Sequence, residues 1–458
     1  MISSMEITMK NLLLLFLFTN LTACSIVTPI FNKPVKTNKI KAEKTIPTGA
    51  KAKLDDVSLI LTFSGGGTRA AALSYGVLKE LRNTTIPSSS KTFPRQRKTL
   101  LSEVDIISSV SGGSFTSAYY GLYGDRIFKD YEKRFLKKPV QTGLINTFLN
   151  PFNWRHLGNR SELVSSYYEK NIFGKKTFHD LRRDGPQIVI NTTDISAGTA
   201  FSFTPENFRW ICSDLGSYPV GRAVTASSAV PVLFSPLPLK NYSGCKPYSY
   251  QTKNSLVNRS RNDEQAFGVR KYQDKKRYPY LHLLDGGITD NLGIRSLLHV
   301  VSEHNNDFWQ VMKSFGLQDT KKVAFIVVNA ADSLSPLIAR NRNSPSASNT
   351  MAAVSTIQLK RYNTDTLDLL SHNLKTWQRQ VKKERCKETK KADCDDIKFY
   401  LVELNFKQLP PKEAQAFSLI ETSMELPEKT VDGLILAGQY LLKNSPEFKT
   451  ILKDLNAQ

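Results

Sequence analysis

Residues 57–69 read VSLILTFSGGGTR: a run dense in Val, Leu, Ile and Phe, then Ser64, three consecutive glycines, Thr68 and Arg69. The apolar run suits a strand buried on both faces, as in a parallel sheet. Ala70, Leu73, Val77 and Leu81 then recur at helical spacing, so the stretch predicts strand, glycine turn, helix. Gly65, Gly66 and Gly67 let backbone N–H groups approach a ligand closely at a helix N-terminus, where the dipole favours negative charge. Such a turn cradles a phosphate or an oxyanion, or is simply tight. Its spacing matches neither GxxxxGK(S/T) nor GxGxxG.

Two further units repeat this plan. VDIISSV, residues 104–110, runs into Ser111-Gly112-Gly113 and a helix face of Phe115, Ala118, Tyr119 and Leu122. A serine at a sharp strand-to-helix turn has the placing of a nucleophile elbow. Ser109 stands where the G-x-S-x-G pattern has its first glycine, so the motif alone also suits a structural turn. YLHLL, residues 280–284, runs into Asp285-Gly286-Gly287, with Ile294, Leu297 and Val301 beyond. Asp285 is placed like a catalytic carboxylate, although an N-cap or a calcium ligand would look the same. A Ser-Asp-His hydrolase order requires a histidine after the acid. His299 and His304 fall within the predicted helix and His372 among polar helical positions, which leaves Asp285 as the base.

With these residues in place, the chain resembles the patatin-like phospholipase family. Residues 65–69 resemble its oxyanion block, 109–113 its serine elbow, 226–236 its ASxAxPxxFxP block and 285–287 its acid turn, in the family's order across about residues 56–335. The resemblance implies a three-layer α/β/α sandwich with a central, mostly parallel sheet. It also implies a serine acyl hydrolase cleaving phospholipid or lysophospholipid esters, with Ser111 as nucleophile and Asp285 as base. The N–H groups of Gly65, Gly66, Gly67 and Gly112 would form the oxyanion hole, worth ~3–4 kcal/mol per important donor. Arg69 is a supporting charge or a member of a surface ion pair, and Pro231 and Pro236 fix a loop lining the cleft. No metal or cofactor is implied. Acyl transfer by the same dyad and a non-catalytic envelope binding or assembly module are the alternatives.

Composition bounds the rest. A chain of 458 residues, 40% hydrophobic and 23% charged with mean hydropathy −0.32, is neither a polytopic membrane protein nor largely disordered. The net charge of +22 points to an anionic partner. Beside a lipase-like cleft that partner is a membrane surface rather than nucleic acid. Oligomeric state is not legible.

Lys10, the short apolar run from Leu12 to Ala23 and then Cys24 describe a signal peptide too short to span a bilayer. Leu21-Thr22-Ala23-Cys24 resembles a bacterial lipobox, so residues 1–23 are expected to be removed and Cys24 lipidated. Ser25 then favours the outer membrane of the bacterial envelope. Residues 24–55 read as a lysine-rich tether, 56–335 as the catalytic body and 336–458 as an extension packing back on it, with an independent domain as the alternative. In an oxidising compartment the other cysteines are expected to pair, Cys212 with Cys245 and Cys386 with Cys394, unless all are buried free thiols. The tyrosine-rich basic insertion, 241–280, reads as a lid or interface loop.

Overall fold

In chain order the main sheet is built from β1 (Val57–Phe63), β2 (Val104–Val110), β3 (Gln187–Asp194), β4 (Thr199–Phe203), β5 (Leu237–Lys240), β6 (Tyr280–Asp285), β7 (Lys322–Asn329) and β8 (Lys398–Asn405). The principal helices are α1 (Gly67–Asn83), α2 (Gly112–Tyr123), α3 (Val220–Ser227), α4 (Arg295–Glu303), α5 (Ala347–Thr389) and α6 (Glu428–Asn444). The computed structural model describes residues 29–35, 57–87, 97–150, 160–231, 233–245, 261–331, 342–389 and 397–456.

Successive side chains of a strand point to opposite faces, so a central strand between two helical layers must be apolar throughout. β1 and β7 obey this. Leu59, Leu61, Phe63, Ala324, Ile326 and Val328 enter one core, with residues of α1, α2 and α6. Ile60, Val323, Phe325 and Val327 enter a second core, with Leu298 of α4 and Leu370 and Trp377 of α5. The result is a three-layer α/β/α sandwich. Its strand order is β8-β7-β1-β2-β3-β6-β5, with β4 also on β3. The pairs from β8 to β3 are parallel, whereas β6 and β4 run antiparallel to β3.

β3 has three partners and only two edges. β2 pairs with Gln187–Asn191, β4 with Ile190–Asp194 and β6 with Thr192–Asp194. β4 overlaps both of the others in register, so it must hold one edge alone, and β2 and β6 must share the other. They enter that edge from opposite directions. Val110, the last residue of β2, lies opposite Asn191, and Asp285, the last of β6, lies opposite Thr192. Two strand ends distant in sequence thus meet head to head.

The division expected at residue 335 falls between two strands of one sheet, because β8 pairs with β7 over its whole length. α6 lies across α1 at a crossing that only glycine permits. A Cβ on Gly76 would come 2.1 Å from the Ile435 carbonyl oxygen, and one on Gly438 would come 2.3 Å from that of Leu73. Part of the expected tether also docks on the body: Lys33–Pro34 pairs with Ser213–Asp214, and the Asn32 amide donates to Ser213 Oγ (3.0 Å) and the Lys240 carbonyl (2.9 Å). The insertion is partly core, since Tyr272 is fully buried and donates to Asp194 (2.9 Å); residues 246–260 lie outside the described ones. No helix among the described residues is long and apolar enough to cross a membrane.

Substituting Gly76 or Gly438 by alanine must separate α1 from α6 at backbone contact. Each is expected to destabilise the protein by ~1–3 kcal/mol, the usual cost of overpacking a fitted core. Urea unfolding checks this, and an unchanged midpoint would mean that the crossing is not close.

Candidate active site

Ser111 takes the single residue between β2 and α2, with φ 49° and ψ −120°. A positive φ costs a non-glycine residue ~1–3 kcal/mol and persists only where the surroundings enforce it. Here the enforcement is dense. The Ser111 N–H donates to Ser227 Oγ (2.9 Å), and Ser114 N–H donates to the Ser111 carbonyl (2.9 Å). Gly112 follows because nothing larger fits: a Cβ there would lie 2.0 Å from the Gly67 carbonyl oxygen. The N-termini of α1 and α2 therefore abut. Ser109, in the place of the motif's first glycine, is buried, and its hydroxyl bonds Ser117 Oγ (2.5 Å) and the Val189 carbonyl (3.2 Å).

Asp285 closes β6 from the other side and is buried. Burial pushes its carboxyl up from 3.8 to about 6, while the Gly287 N–H (2.8 Å) and the hydrogen-bonding Ser111 side chain act in the opposite direction. The turn is fixed to β3 and α3. Thr193 Oγ1 donates to the Asp285 carbonyl (2.9 Å), Asp285 N–H to the Ala229 carbonyl (3.0 Å) and Gly286 N–H to the Ser227 carbonyl (3.2 Å). No histidine hydrogen-bonds Ser111 or Asp285 among the described residues. The nearest histidine in sequence, His282, engages Ser196 Oγ through Nδ1 (2.9 Å).

The four glycines assigned to an oxyanion hole do not have equal donors. The Gly65 N–H already donates to the Asn291 carbonyl (3.1 Å), so Gly65 is corrected from donor to close neighbour; a Cβ there would stand 3.3 Å from Ser111 Cβ. Gly66, Gly67 and Gly112 donate to no backbone carbonyl among the described residues. All three sit at helix N-termini, where N–H groups lack intrahelical acceptors. Arg69 does not lie at the surface. It is buried, its Nε donates to the Ala330 carbonyl (2.9 Å) and Nη1 donates to that of Ile420. Thr68 N–H reaches the Ser423 carbonyl (2.8 Å), so the loop around 420–423 walls the glycine turn.

Two residues that sequence reasoning missed belong to this site. Ser227 lies in the block valued for its prolines, yet it is the link between elbow and acid turn. Its hydroxyl accepts from Ser111 N–H, bonds Ser114 Oγ (2.9 Å) and donates to the Asn191 carbonyl (2.7 Å). Asn291, six residues after Asp285, puts its Oδ1 2.6 Å from where a Gly65 Cβ would be. A position within or just beyond a family-like block was the only signal either residue carried.

Cys212 and Cys245 form a disulfide. Cys386 is disulfide-bonded too, whereas Cys394 and Cys24 lie outside the described residues. Among the described residues no three His, Cys, Asp or Glu side chains converge as metal ligands. A surface cleft of about 530 Å³ is lined by Tyr75, Phe128, Lys129, Glu132, Lys133, Lys137 and Glu428, none of them a residue of this site.

A serine held in a strained elbow against a buried carboxyl, beside two facing helix N-termini in an α/β/α sandwich, defines the class of site. The chain belongs to the patatin-like phospholipase family, whose sequence model matches residues 61–298. No curated protein matches the sequence. Among solved structures it is similar to human GIVD cytosolic phospholipase A2, at 14% identity and TM-score 0.39 over 90% of this chain. It spans only 64% of that protein's length. VipD from Legionella pneumophila matches at 10% identity and TM-score 0.26, over 92% of this chain and 72% of its own. A structure of SpcU with ExoU from Pseudomonas aeruginosa matches at 14% identity and TM-score 0.23, over 88% of each chain.

A buried aspartate with a raised pKa weakens the fold at high pH. The folded state holds the proton more tightly than the unfolded one, so this destabilisation is absent below about 3.8, grows towards 6 and is complete above it. Asp285→Asn removes it. The variant is expected to be ~1–3 kcal/mol more stable than the native chain at pH 8 and close to it at pH 4. Denaturant unfolding at both values checks this; an equal gain at both would exclude burial of charge as the cause.

Proposed function

We propose that the protein is a serine acyl hydrolase that cleaves phospholipid or lysophospholipid esters through an acyl-Ser111 intermediate. The observation carrying this reading is the head-to-head meeting of β2 and β6, which brings the Ser111 hydroxyl to a buried carboxyl in a chain of this family. Asp285, ionised, takes the Ser111 proton as Oγ attacks the acyl carbon. The carbonyl π pair moves onto oxygen, and the N–H groups of Gly66, Gly67 and Gly112 receive that oxyanion. Collapse breaks the bond to the leaving alkoxide, which takes the proton from Asp285. Water then repeats the sequence in reverse: Asp285 removes its proton as the water oxygen adds to the acyl carbon, and collapse releases the fatty acid and Ser111 Oγ, which takes the proton back from Asp285.

The raised pKa suits this role, because a base near the working pH accepts a proton more readily than an ordinary carboxylate. It also fixes the pH dependence. Activity is expected to rise with pH through about 6, as Asp285 loses its proton. A fluorophosphonate probe should label the native protein at Ser111 alone, and Ser111→Ala should abolish labelling. Asp285→Asn should lower ester hydrolysis ~10²- to 10⁴-fold while the protein stays folded. Full turnover by that variant, or labelling at another serine, would reject the mechanism.

The same reading gives the protein a signal peptide over residues 1–23, a lipid on Cys24 and a place at the bacterial outer membrane. The apolar run and lipobox-like residues before Cys24 support it. Cys24→Ser protein is expected to lose lipid labelling and to leave the membrane fraction; a native protein found soluble would overturn the anchor.

A further inference from the structure

α5 is two helices in character. From Asn363 onward one face is buried at three- and four-residue intervals, through Thr366, Leu370, Leu374, Trp377 and Val381. That periodicity stops at Asn363. No residue from 353 to 362 is buried, although the helix extends back to Ala347. The unsupported part, residues 353–362, is ~15 Å long at 1.5 Å per residue.

Its composition departs from the rest of the chain. In a protein 23% charged, the stretch from Asn343 to Leu359 carries no charged side chain, and Lys360 and Arg361 come immediately after it. Val354 and Ile357, one turn apart, are 44% and 40% exposed. A solvated helix face ordinarily carries charge, and exposed apolar side chains on an uncharged one mark a contact surface.

The base of this helix rests on the acid turn. Arg295 Nε donates to Thr366 Oγ1 (2.9 Å) and its guanidinium stacks on Tyr362, 3.6 Å from the ring centre. The Arg295 N–H in turn donates to Asp290 Oδ2 (2.6 Å), five residues beyond Asp285. Ile288, in that same turn, is 47% exposed. The helix therefore rises from beside the acid turn, where Ile288 is also exposed.

We propose that residues 353–362 form a prong that enters the interface of a lipid surface and seats the Ser111–Asp285 site on it, with Lys360 and Arg361 at headgroup level. This rests on the lipid-hydrolase reading above for its purpose, but not for its test. A charge-free segment that exposes Val354 and Ile357 and ends in paired cations matches an interfacial helix facing anionic headgroups. The contact adds no chemistry. It shortens the path of an acyl chain from the bilayer to the elbow.

The test uses full-length protein with Cys24→Ser, which removes the anchor's own attraction, and with Ser111→Ala for binding, so that turnover does not consume the vesicles. Val354→Asp with Ile357→Asp changes only exposed positions. It is expected to weaken binding to phosphatidylcholine vesicles containing phosphatidylglycerol tenfold or more. With Ser111 restored, hydrolysis of a monomeric short-chain ester should be unchanged. In Ile357→Trp protein, brominated acyl chains should quench the added fluorescence on vesicle addition. Vesicle binding within twofold of native, an introduced indole that stays unquenched, or a shift from dimer to monomer in place of lost binding would each overturn the prong. Failure of the hydrolase reading would look different: no hydrolysis of the monomeric ester by the native enzyme, whatever the vesicles show.

Discussion

The rest of the site depends on one edge of β3. Because β4 holds the other edge, β2 and β6 must share this one, and their C-terminal ends meet between Asn191 and Thr192. Hydrogen-bond register is discrete, so this junction sets the separation of Ser111 and Asp285 more firmly than any loop would. The side chains of β3 reinforce it. The Asn191 amide donates to Ser108 Oγ (2.9 Å) and the Ser109 carbonyl (3.0 Å) on the β2 side, while Thr193 Oγ1 donates to the Asp285 carbonyl on the β6 side. Gly286 completes the fit, since a Cβ there would lie 2.3 Å from the Asn191 carbonyl oxygen.

Holding a strained serine and a buried acid together costs stability, and the polar seam beneath them offsets it. Ser111 takes a conformation that ordinary residues avoid, and Asp285 keeps a carboxyl where water would serve it better. Ser227 meets both costs at once, accepting the elbow's N–H on its hydroxyl and the acid turn's N–H on its carbonyl. In a low-dielectric interior such satisfied networks are rigid, and a partly satisfied one is worse than none. That explains why so small a side chain sits at the centre of the arrangement: a hydroxyl can accept and donate within a space that excludes water.

What could be read from the chain alone was what is local. VSLILTF before its glycines, VDIISSV before Ser111-Gly112, and YLHLL before Asp285-Gly286 each carry strand, turn and helix signals within some twenty residues, and all three units form. In α5, Leu367, Leu370, Leu374 and Trp377 recur at helical spacing in the same local way. Its uncharged start carries no such signal, because Ser, Asn and Ala without a repeating apolar face resemble a loop. Ser227 was invisible as a link, because Ser111, Ser114, Asn191 and Gly286 all lie far from it in sequence, and no local pattern encodes a bond to the Asn191 carbonyl. Arg69 misled for a related reason. A charged side chain is expected at the surface unless paired, and the carbonyls that satisfy this one belong to Ala330 and Ile420.

Those partners bear on how the whole chain makes the site. The family match ends at residue 298, yet the glycine turn is finished by residues beyond that point. β7 pairs with β1 and delivers Ala330 to Arg69 Nε, and the 420–423 loop supplies the Ile420 carbonyl to the same guanidinium and the Ser423 carbonyl to Thr68. Gly67 is pinned from the same side, for a Cβ on it would lie 2.3 Å from the Ser423 oxygen. Removing residues after 298 would expose the edge of β1 and take the Ala330 and Ile420 carbonyls from the Arg69 guanidinium, and a buried charge that loses partners is destabilising. The donors of Gly66 and Gly67 would then lose the wall that aims them. The segment beyond the family's core is thus part of the glycine turn itself, and its contribution is made through backbone carbonyls, which any sequence carries and no motif records.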